Sequence, residues 1–332
     1  MIPEPERKPV CVARFTDPLD TIPTGAQAYE RMMFEALDPV VDLRRALTDP
    51  RRPRLLRFKK LRYLWQNRFD LPRGDVLISD PTQLFCGLPL RRFKRRVLVA
   101  YHIDPRDTPR PSVQRKVDQF MFRSLRHFDR VVVIAKFWKE FLAAHMPSER
   151  VHIIPCAFDV PAIASREAVP SRRELGLPED KIVVYAGQAC ESKGFKHAVE
   201  RLPADRFHVF TTGRRDCEAH HDHRSADSGD YLDLLRAADV AAFFPRFNEG
   251  WTRVAHEALL CGTPVVGFDR GGLGELIREA GQILCDSSDD IVKCVDQALL
   301  QRDALSRRGR SYAQAFTRER FNRQWQELVS EL

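Results

Sequence analysis

Short apolar runs alternate with helix-like segments along the second half of the chain, and no other feature constrains the fold as strongly. The runs are continuously apolar, which is typical of strands in a parallel sheet that is covered on both faces. Strand, helix and strand at this spacing indicate right-handed βαβ crossovers, so a Rossmann-like domain is predicted from about residue 180. The predicted strands are KIVVYAG, FHVFTTG, ADVAAFFP, TPVVGF and GQILC, and the predicted helices lie around 194–201, 229–237, 252–261, 272–280 and 288–300.

The first half of the chain repeats this alternation less regularly. Its strand-like runs are VCVARF, GDVLISD, RRVLVAYH, FDRVVVIA and VHIIP, and its helix-like segments are GAQAYERMMFEAL and PSVQRKVDQFMFRSL. A chain of 332 residues is long enough for two domains, each with its own core. The pattern therefore predicts two Rossmann-like α/β domains that face a cleft, with the carboxyl ends of their strands towards it.

Two further segments set the predicted domain boundaries. The polar, proline-bearing stretch near 158–178 predicts a linker. FTRERFNRQWQELVSEL is amphipathic and lies beyond the last strand, so we expect a C-terminal helix that packs back on the first domain. The first domain is predicted over 1–160 together with about 316–332, and the second over 161–315.

Composition limits the class of protein. The hydrophobic fraction of 43% and the charged fraction of 30% are ordinary for a globular protein. No apolar run is long enough to cross a membrane, and the stretch MIPEPERKPV lacks the apolar core of a secretory signal. The eight cysteines are scattered and form no CxxC pair, so we expect buried reduced thiols. These features predict a cytoplasmic protein.

Positive charge is concentrated in one part of the chain. The formal net charge is +8, but residues 51–100 alone contain 14 Lys and Arg against three Asp. A region of this kind indicates an anionic partner, either a nucleic acid or a membrane surface, or else a solvated basic face without a partner.

The stretch FNEGWTRVAHEALLCGTPVVG, residues 247–267, indicates a ligand site at one sheet edge. Because it follows a predicted strand, its first residues form a loop at the carboxyl end of that strand, where open parallel sheets bind ligands. Thr252 is the expected N-cap of the next helix, and Gly262 is its expected left-handed C-cap. The exposed N–H groups at the helix N-terminus favour a phosphate group.

Two glutamates in this stretch have different expected roles. Glu249 lies beside the helix N-terminus, where negative charge is favoured. Glu257 lies more than one turn inside the helix, where its carboxylate could accept hydrogen bonds from two neighbouring ribose hydroxyls.

A second loop on the same predicted edge contains a lysine suited to a diphosphate. Gly187 and Gly194 enclose Gln188 and Lys193, and the two glycines would let the backbone approach a ligand closely. A lone loop lysine is more often only solvated, so the expectation depends on Lys193 sharing an edge with Glu249. A third glycine-rich loop, Asp269–Glu275, also opens a helix, although it does not match the GxGxxG fingerprint.

Together these residues resemble the retaining glycosyltransferases of the GT-B fold, above all glycosyltransferase family 4. FFPRFNEGWTRVAHEALLCGTPVVGFDRGGLGELI is similar to the family's signature of two glutamates separated by seven residues, and AGQACESKGF to its Gly-Arg-x-x-x-x-Lys-Gly loop. VHIIPCAFD, PTGAQAYERMMFEAL and VLVAYHID resemble the family's domain-boundary element, first glycine loop and strand ending in a cleft-facing histidine. The resemblance runs from about residue 9 to the end and is loosest between 40 and 95.

The chain departs from the family pattern at several positions. Gln188 stands where the family has a phosphate-binding arginine, and the resemblance leaves Arg253 or Arg214 as substitutes. The other departures are Arg246 for a serine, Thr252 for a glycine and Cys156-Ala157 for Asn-Gly. The signature glutamates and the lysine remain, so the resemblance implies an active enzyme.

The resemblance implies transfer of a sugar from a nucleotide-sugar donor, with retention at the anomeric carbon. It favours a UDP-sugar over a GDP-sugar, and a saccharide or lipid-linked acceptor in cell-surface glycan or glycolipid synthesis, with no tightly bound cofactor. Lys193 and Glu249 would be catalytic, one at the diphosphate and the other at the donor sugar or its positive transition state. The implied donor-binding residues are Gly25, Gly187, Gln188, Lys193, Gly250, Thr252, Arg253 and Glu257.

Two of the implied residues belong to the first domain. His102, at the end of VLVAYH, would be a third catalytic residue that contacts the donor sugar, or it is a hydrogen-bonded histidine at a strand end. Gly25 would approach the diphosphate, or it is a plain turn glycine.

The cluster Cys217-Glu218-Ala219-His220-His221-Asp222-His223 contains residue types that bind metals. Its spacing matches no common zinc pattern, and it lies in a polar loop. No metal site is therefore predicted.

Two other functions fit parts of the sequence. An epimerase or a phosphorylase on the same fold would turn over a sugar nucleotide or a glycan without an acceptor alcohol. A nucleic-acid-binding protein would use basic residues 51–100, but no recognised motif accompanies them, so no nucleic-acid partner is expected.

The basic region also predicts a peripheral contact with an anionic membrane. Apolar residues between 52 and 69 form one helical stripe, and RRFKRR at 91–96 adds five more cations. The stripe either packs on the sheet of the first domain or rests on a bilayer and brings the cleft to a lipid-linked acceptor. The membrane-side residues would be Arg57, Lys59, Lys60 and Trp65. Each cation near the surface would contribute about 1 kcal/mol.

Overall fold

Twelve strands in two parallel sheets form the framework of the part of the chain that the structure describes. This computed structural model describes residues 7–13, 25–46, 71–81, 89–104, 111–164, 170–217, 221–224 and 228–332. These residues divide into two compact units, one of 7–157 with 318–332 and one of 158–317. The basic stretch 52–69, with Arg57, Lys59, Lys60 and Trp65, lies outside the described residues.

Each unit contains one sheet and its covering helices. The first unit begins with β1 (Pro9–Ala13), α1 (Gly25–Leu37), β2 (Asp42–Ala46), β3 (Val76–Ser79), β4 (Arg95–Ala100), α2 (Pro111–Ser124), β5 (Arg130–Val133), α3 (Lys136–Leu142) and β6 (Val151–Ile153). The second unit contains α4 (Val160–Ala164), β7 (Ile182–Tyr185), α5 (Phe195–Arg201), β8 (Phe207–Thr212), β9 (Asp222–Arg224), α6 (Ser228–Ala237), β10 (Val240–Phe243), α7 (Arg253–Cys261), β11 (Val265–Phe268), α8 (Gly271–Glu279), β12 (Ile283–Cys285), α9 (Ile291–Leu300) and α10 (Arg302–Ala313). The last helix, α11 (Arg318–Ser330), belongs to the first unit.

The strand order of both sheets is that of a doubly wound fold. The first sheet has the order β2-β1-β3-β4-β5-β6 and the second has β12-β11-β10-β7-β8-β9, with every pairing parallel. Strands β3 and β10 are buried at every position, as the continuous apolar runs predict. In the second sheet the strand order reverses between β7 and β10, and ligands of open α/β sheets bind outside the carboxyl ends of the strands at such a point.

Helix α11 packs on α1, which confirms the predicted return of the C-terminal helix to the first unit. The fully buried ring of Tyr29 meets Phe321 edge-on at 5.1 Å and Trp325 at 6.3 Å between ring centroids. Its hydroxyl donates a hydrogen bond of 2.9 Å to the carbonyl of Ile154. Three aromatic rings from distant parts of the chain therefore form the contact that closes this unit.

Four elements and the linker differ from the sequence-based prediction, and one of them is the short helix α3, KFWKEFL, which was not predicted. Strands β2 and β9 were not predicted because they are short, polar edge strands, DLRRA and DHR, without an apolar run. Helix α10 was not predicted because most of its residues are polar and only three of them are buried. The predicted linker starts too early, since Phe158 and Ile163 are buried and α4 lies within it.

Two expectations about composition can be compared with the described residues. All seven cysteines among them are buried and free, as expected. Within the same residues, we find no helix with the length and apolar character needed to cross a bilayer.

Candidate active site

Lys193 and Glu249 meet at the carboxyl edge of the second sheet. Lys193 lies in the loop that follows β7, and Glu249 lies in the loop that follows β10, its neighbour in the sheet. Lys193 Nζ donates to Glu249 Oε1 at 2.8 Å and lies 4.6 Å from the centroid of the Phe247 ring. The Glu249 side chain is only 10% exposed and that of Lys193 is 32% exposed. The structure thus brings together the two residues that the sequence places on one edge.

The loop 187–194 is held in place by backbone hydrogen bonds to two neighbouring loops. The N–H of Thr212 donates to Gly187 O at 3.0 Å, and the N–H of Glu191 donates to Asp216 Oδ1 at 3.0 Å. On the other side, the N–H of Arg246 donates to Ser192 O at 2.9 Å. The lysine is therefore carried by a fixed loop, which limits where its ammonium group can reach.

Gly194 allows this loop to pack directly on the end of β10. Its φ of 70° is in the left-handed region, and a β-carbon at this position would overlap the carbonyl of Phe244. The sequence analysis expects Gly194 to let the backbone approach a ligand. In the structure, Gly194 instead lets the loop approach the backbone of Phe244. Gly187, at φ 70°, would likewise place a β-carbon 3.3 Å from the ring of Phe243.

The third glycine loop fixes the main chain of Glu249. The N–H of Gly272 donates to Glu249 O at 2.8 Å, and Gly271 forms a parallel bridge with Glu249. Gly271 has φ 59°, and a β-carbon there would overlap the backbone of Glu249. The sequence analysis singled out this loop but did not predict that it would hold Glu249. The feature that marks the loop in the sequence is a pair of glycines between a strand and a helix.

Helix α7 begins directly after Glu249 and Gly250. Thr252 occupies the N-cap position, but its hydroxyl makes no capping bond, so the predicted side-chain cap is wrong. The Thr252 Oγ1 is buried and has no hydrogen-bond partner among the described residues, which leaves it able to bond a ligand. The predicted C-cap is confirmed, since Gly262 has φ 83° and its N–H bonds the carbonyl of Leu259 at 3.0 Å.

Glu257 is oriented by a tyrosine that the sequence did not single out. The hydroxyl of Tyr231, on α6, donates to Glu257 Oε2 at 2.8 Å, and Arg253 Nη2 donates to Oε1 at 3.4 Å. Burial first, and then the nearby carboxylate, raise the pKa of Tyr231 well above its ordinary value, so the hydroxyl remains a donor. The sequence does not predict a role for Tyr231, because this contact depends on how α6 packs on α7.

Neither proposed substitute for the missing arginine is free at this site. Arg253 pairs with Glu257 and lies 4.5 Å above the ring of Phe158. Arg214 pairs with Asp216 at 3.1 Å, and its side chain is 68% exposed. Gln188 itself lies beside Gly213, where a β-carbon would come 3.4 Å from its Nε2.

Two family models match separate parts of the chain. A model described as Glycosyltransferase Family 4 matches residues 22–161, and one described as Glycosyl transferases group 1 matches residues 216–316. The chain belongs to the family 4 type of GT-B glycosyltransferases. The predicted fold class, GT-B, is also confirmed.

Similar proteins include enzymes and solved structures with this fold. A D-inositol 3-phosphate glycosyltransferase of Geodermatophilus obscurus is 30% identical over 203 residues, which cover 52% of this chain and 45% of the relative. This chain spans about half the length of the curated relatives it matches. Sucrose-phosphate synthase of Thermosynechococcus elongatus has a TM-score of 0.80 at 18% identity, over 98% of this chain and 99% of that one. HepE of Anabaena in complex with UDP-glucose has a TM-score of 0.72 at 17% identity, over 97% and 99%.

The two candidate residues of the first unit both follow strands of its sheet. His102 lies two residues beyond the end of β4 and is half-buried. Gly25 is exposed and is the first residue of α1, the helix that follows β1. His102 is thus at the carboxyl end of a parallel strand, the edge at which such sheets bind ligands.

Two histidines of the 217–223 cluster, His221 and His223, bond to the neighbouring strand. His221 Nε2 and His223 Nδ1 each lie 2.9 Å from Thr211 Oγ1 on β8. His208 Nε2 lies 2.9 Å from Asp222 Oδ2, so these side chains join β8 to β9. Across the described ranges, which omit 218–220, no three such side chains are close enough to hold a metal ion.

His256 is a buried neutral histidine beside Glu257. Its ring stacks on Phe158 at 4.0 Å with an interplanar angle of 2°, and its Nε2 lies 3.0 Å from Ala313 O. Burial lowers the pKa of His256 to about 3, the hydrogen bond to Ala313 opposes this shift, and Arg253 adds to it. Nε2 therefore carries the proton and donates, which fixes α7 against the end of α10.

Proposed function

We propose that this glycosyltransferase moves a sugar from a UDP-sugar to a saccharide or lipid-linked acceptor, with retention at the anomeric carbon. The observation that carries the proposal is the contact between Lys193 and Glu249 at the reversal point of the second sheet, beside the N-terminus of α7. A cation, a carboxylate and a helix N-terminus are what a departing diphosphate and a positive sugar centre require.

Lys193 and the start of α7 would hold the diphosphate. The ammonium group would move from Glu249 to the distal phosphate, where negative charge grows as the bond to the sugar breaks. The first N–H groups of α7 and the unpartnered hydroxyl of Thr252 would donate to the phosphate oxygens. These hydrogen-bonding groups are in place before the sugar nucleotide binds, so little reorganisation of the protein is needed during the reaction.

Glu249 would act on the donor sugar. Its main chain is held by Gly271 and Gly272, so the carboxylate has a defined position once Lys193 turns to the phosphate. The carboxylate would accept hydrogen bonds from sugar hydroxyls and stabilise the positive charge that develops at the anomeric carbon.

Glu257 would bind the ribose of the nucleotide. Tyr231 and Arg253 occupy one lone pair on each of its oxygens and leave others for two neighbouring hydroxyls. Gly187, Gln188 and Gly250 would line the same donor site. His102 and Gly25 are also proposed to take part in donor binding.

UDP is the proposed nucleotide because proteins of the same fold bind it. HepE of Anabaena has been solved with UDP-glucose and with UDP. We further propose that the chain works in the cytoplasm, at the membrane face, with the basic region 51–100 on anionic lipid. This placement would bring a lipid-linked acceptor of glycan or glycolipid synthesis to the enzyme.

A panel of sugar nucleotides tests the proposal. UDP-sugars should raise the thermal unfolding temperature more than GDP-sugars do, and one of them should be hydrolysed slowly without an acceptor. Product analysis by NMR should show the anomeric configuration of the donor. Conversion of the sugar nucleotide to an isomer, or turnover only with inorganic phosphate, would instead identify an epimerase or a phosphorylase.

A further inference from the structure

Three neighbouring strands of the first sheet begin at an arginine-rich cavity. Arg95 and Arg130 are the first residues of β4 and β5, and Arg150 directly precedes β6. The cavity has a volume of about 400 Å³, and five of its eight lining residues are arginines. The other two arginines are Arg96 and Arg126.

Among the described residues, two carboxyl groups contact these five guanidinium groups, that of Asp129 and that of Leu332, whose oxygen accepts from Arg95 Nε at 3.2 Å. The carboxylate of Asp129 accepts hydrogen bonds from Arg95 Nη1 at 3.2 Å and from the backbone N–H of Arg96 at 2.9 Å. Each of its two oxygens therefore already accepts one hydrogen bond. Its Oδ2 lies 3.8 Å from Arg96 Nε, beyond hydrogen-bond distance. Five guanidinium groups outnumber these two carboxyl groups and create a positive potential that an anion would relieve.

Several donors at the cavity have no partner. The Nε atoms of Arg96 and Arg130 are buried and bond to nothing in the described chain. The side chain of Arg150 makes no hydrogen bond or ion pair with any residue for which the structure gives a position. A buried N–H without a partner costs free energy, which a ligand oxygen would recover.

We propose that this cavity, which we call the amino-edge site, binds a phosphate group with at least two negative charges. Guanidinium groups present planar forks that match phosphate oxygens two at a time. The volume lies within the range of roughly 300–1,000 Å³ that is usual for small-ligand sites. A phosphomonoester or a pyrophosphate meets these requirements.

The amino-edge site is separate from the candidate active site. Arg95 begins β4, whereas His102 lies beyond its other end, and a strand of this length spans about 20 Å. The bound phosphate is therefore not the reacting diphosphate but an anchor or an effector. A soluble phosphate compound and a lipid phosphate head group offer the same chemistry, and only experiment separates them.

Isothermal titration of the full chain with inorganic pyrophosphate tests the site. Arg126→Gln with Arg150→Gln should weaken binding at least about tenfold, because two charged donors are lost. The matched control is Arg115→Gln with Arg123→Gln, which removes the same charge from exposed positions on α2 and should change affinity less than about twofold. No binding by the wild-type chain, or equal weakening in both double variants, would overturn the proposal.

Vesicles identify the source of the phosphate. Phosphatidylcholine vesicles that contain phosphatidate carry a phosphomonoester, whereas vesicles with phosphatidylglycerol carry only a diester of the same sign. If the occupant is a lipid, the wild-type chain sediments with phosphatidate vesicles and the Arg126 and Arg150 double variant does not. If pyrophosphate alone depends on these arginines, the occupant is soluble. Donor hydrolysis and thermal unfolding should be unchanged in both double variants, which shows that the fold is intact.

Discussion

Lys193 and Glu249 are 56 positions apart in the sequence, yet the ammonium group of one donates to the carboxylate of the other at 2.8 Å. The contact arises because β7 and β10 are neighbours in the sheet although β8 and β9 lie between them in the chain. A diphosphate that recruits Lys193 would have to replace this ion pair, so donor binding and the freeing of Glu249 would be one event.

Replacing Glu249 by Gln should abolish sugar transfer and leave the affinity for the nucleotide diphosphate unchanged or higher. The reason is that the amide cannot stabilise a positive sugar centre and no longer holds Lys193 as an ion pair. Steady-state transfer and calorimetric titration with UDP measure the two effects. Transfer at the wild-type rate by this variant would remove Glu249 from the proposed mechanism.

Lys193→Ala should raise the donor KM and slow the chemical step, because the leaving diphosphate gains charge in the transition state. Uridine monophosphate should bind this variant almost as well as it binds the wild-type protein. Lys196→Ala is the matched control, since Lys196 is exposed on the adjoining helix α5. An equal loss of affinity for monophosphate and diphosphate would show that Lys193 does not contact the distal phosphate.

Tyr231→Phe should weaken nucleotide binding although Tyr231 itself need not touch the nucleotide. Loss of its hydrogen bond leaves Glu257 less well oriented, and we expect a cost of about 1–2 kcal/mol against about 1–3 kcal/mol for Glu257→Ala. Tyr312→Phe removes a similar bond of 2.9 Å to an exposed glutamate and should have no effect on binding. Calorimetry with UDP on the three variants decides whether the Tyr231 contact matters.

Acidification should destabilise the protein through His256. The folded-state pKa of about 3 is below the ordinary value of 6.5, so the unfolded chain binds a proton that the folded chain refuses. This contribution to stability is intact above pH 6.5 and is lost progressively as the pH falls towards 3, at up to about 1.4 kcal/mol per pH unit.

Urea unfolding between pH 7 and pH 4 measures this effect. His256→Phe keeps an aromatic ring against Phe158 but cannot titrate, so its unfolding free energy should fall less steeply with acid. His145→Gln, at an exposed position, should retain the wild-type slope. A slope in His256→Phe equal to that of the wild-type protein would contradict the assignment.

Charge removal at Arg57, Lys59 and Lys60 should weaken binding to anionic liposomes and leave binding to zwitterionic ones at background. Each cation near the surface contributes about 1 kcal/mol, and added salt should reverse the binding. The control variant neutralises three exposed cations of the second unit, Lys293, Arg307 and Arg308. Absence of any preference for anionic lipid at low salt would favour a soluble acceptor. Liposome sedimentation is the measurement.

The sequence predicts the central strands of both units better than the edge strands, because strands such as β3 and β10 are buried on both faces. Continuous apolar runs such as that of β10 have few other interpretations, whereas the polar edge strand β2 resembles a loop. Lys193 and Glu249 could be placed on one edge because parallel strands share their direction. The contact of Tyr231 with Glu257 could not be predicted, since it depends on the packing of two helices.

The hold of Gly271 and Gly272 on the main chain of Glu249 comes from a segment that is synthesised after both members of the Lys193–Glu249 pair. A nascent chain that has just reached Glu249 contains both residues, but the glutamate backbone lacks its clamp until β11 and the start of α8 have been made. Under the proposed function, a nucleotide-sugar would stabilise only a state that binds it, so it would not stabilise a partly translated second unit. The clamp on Glu249 therefore matures only once the start of α8 is in place.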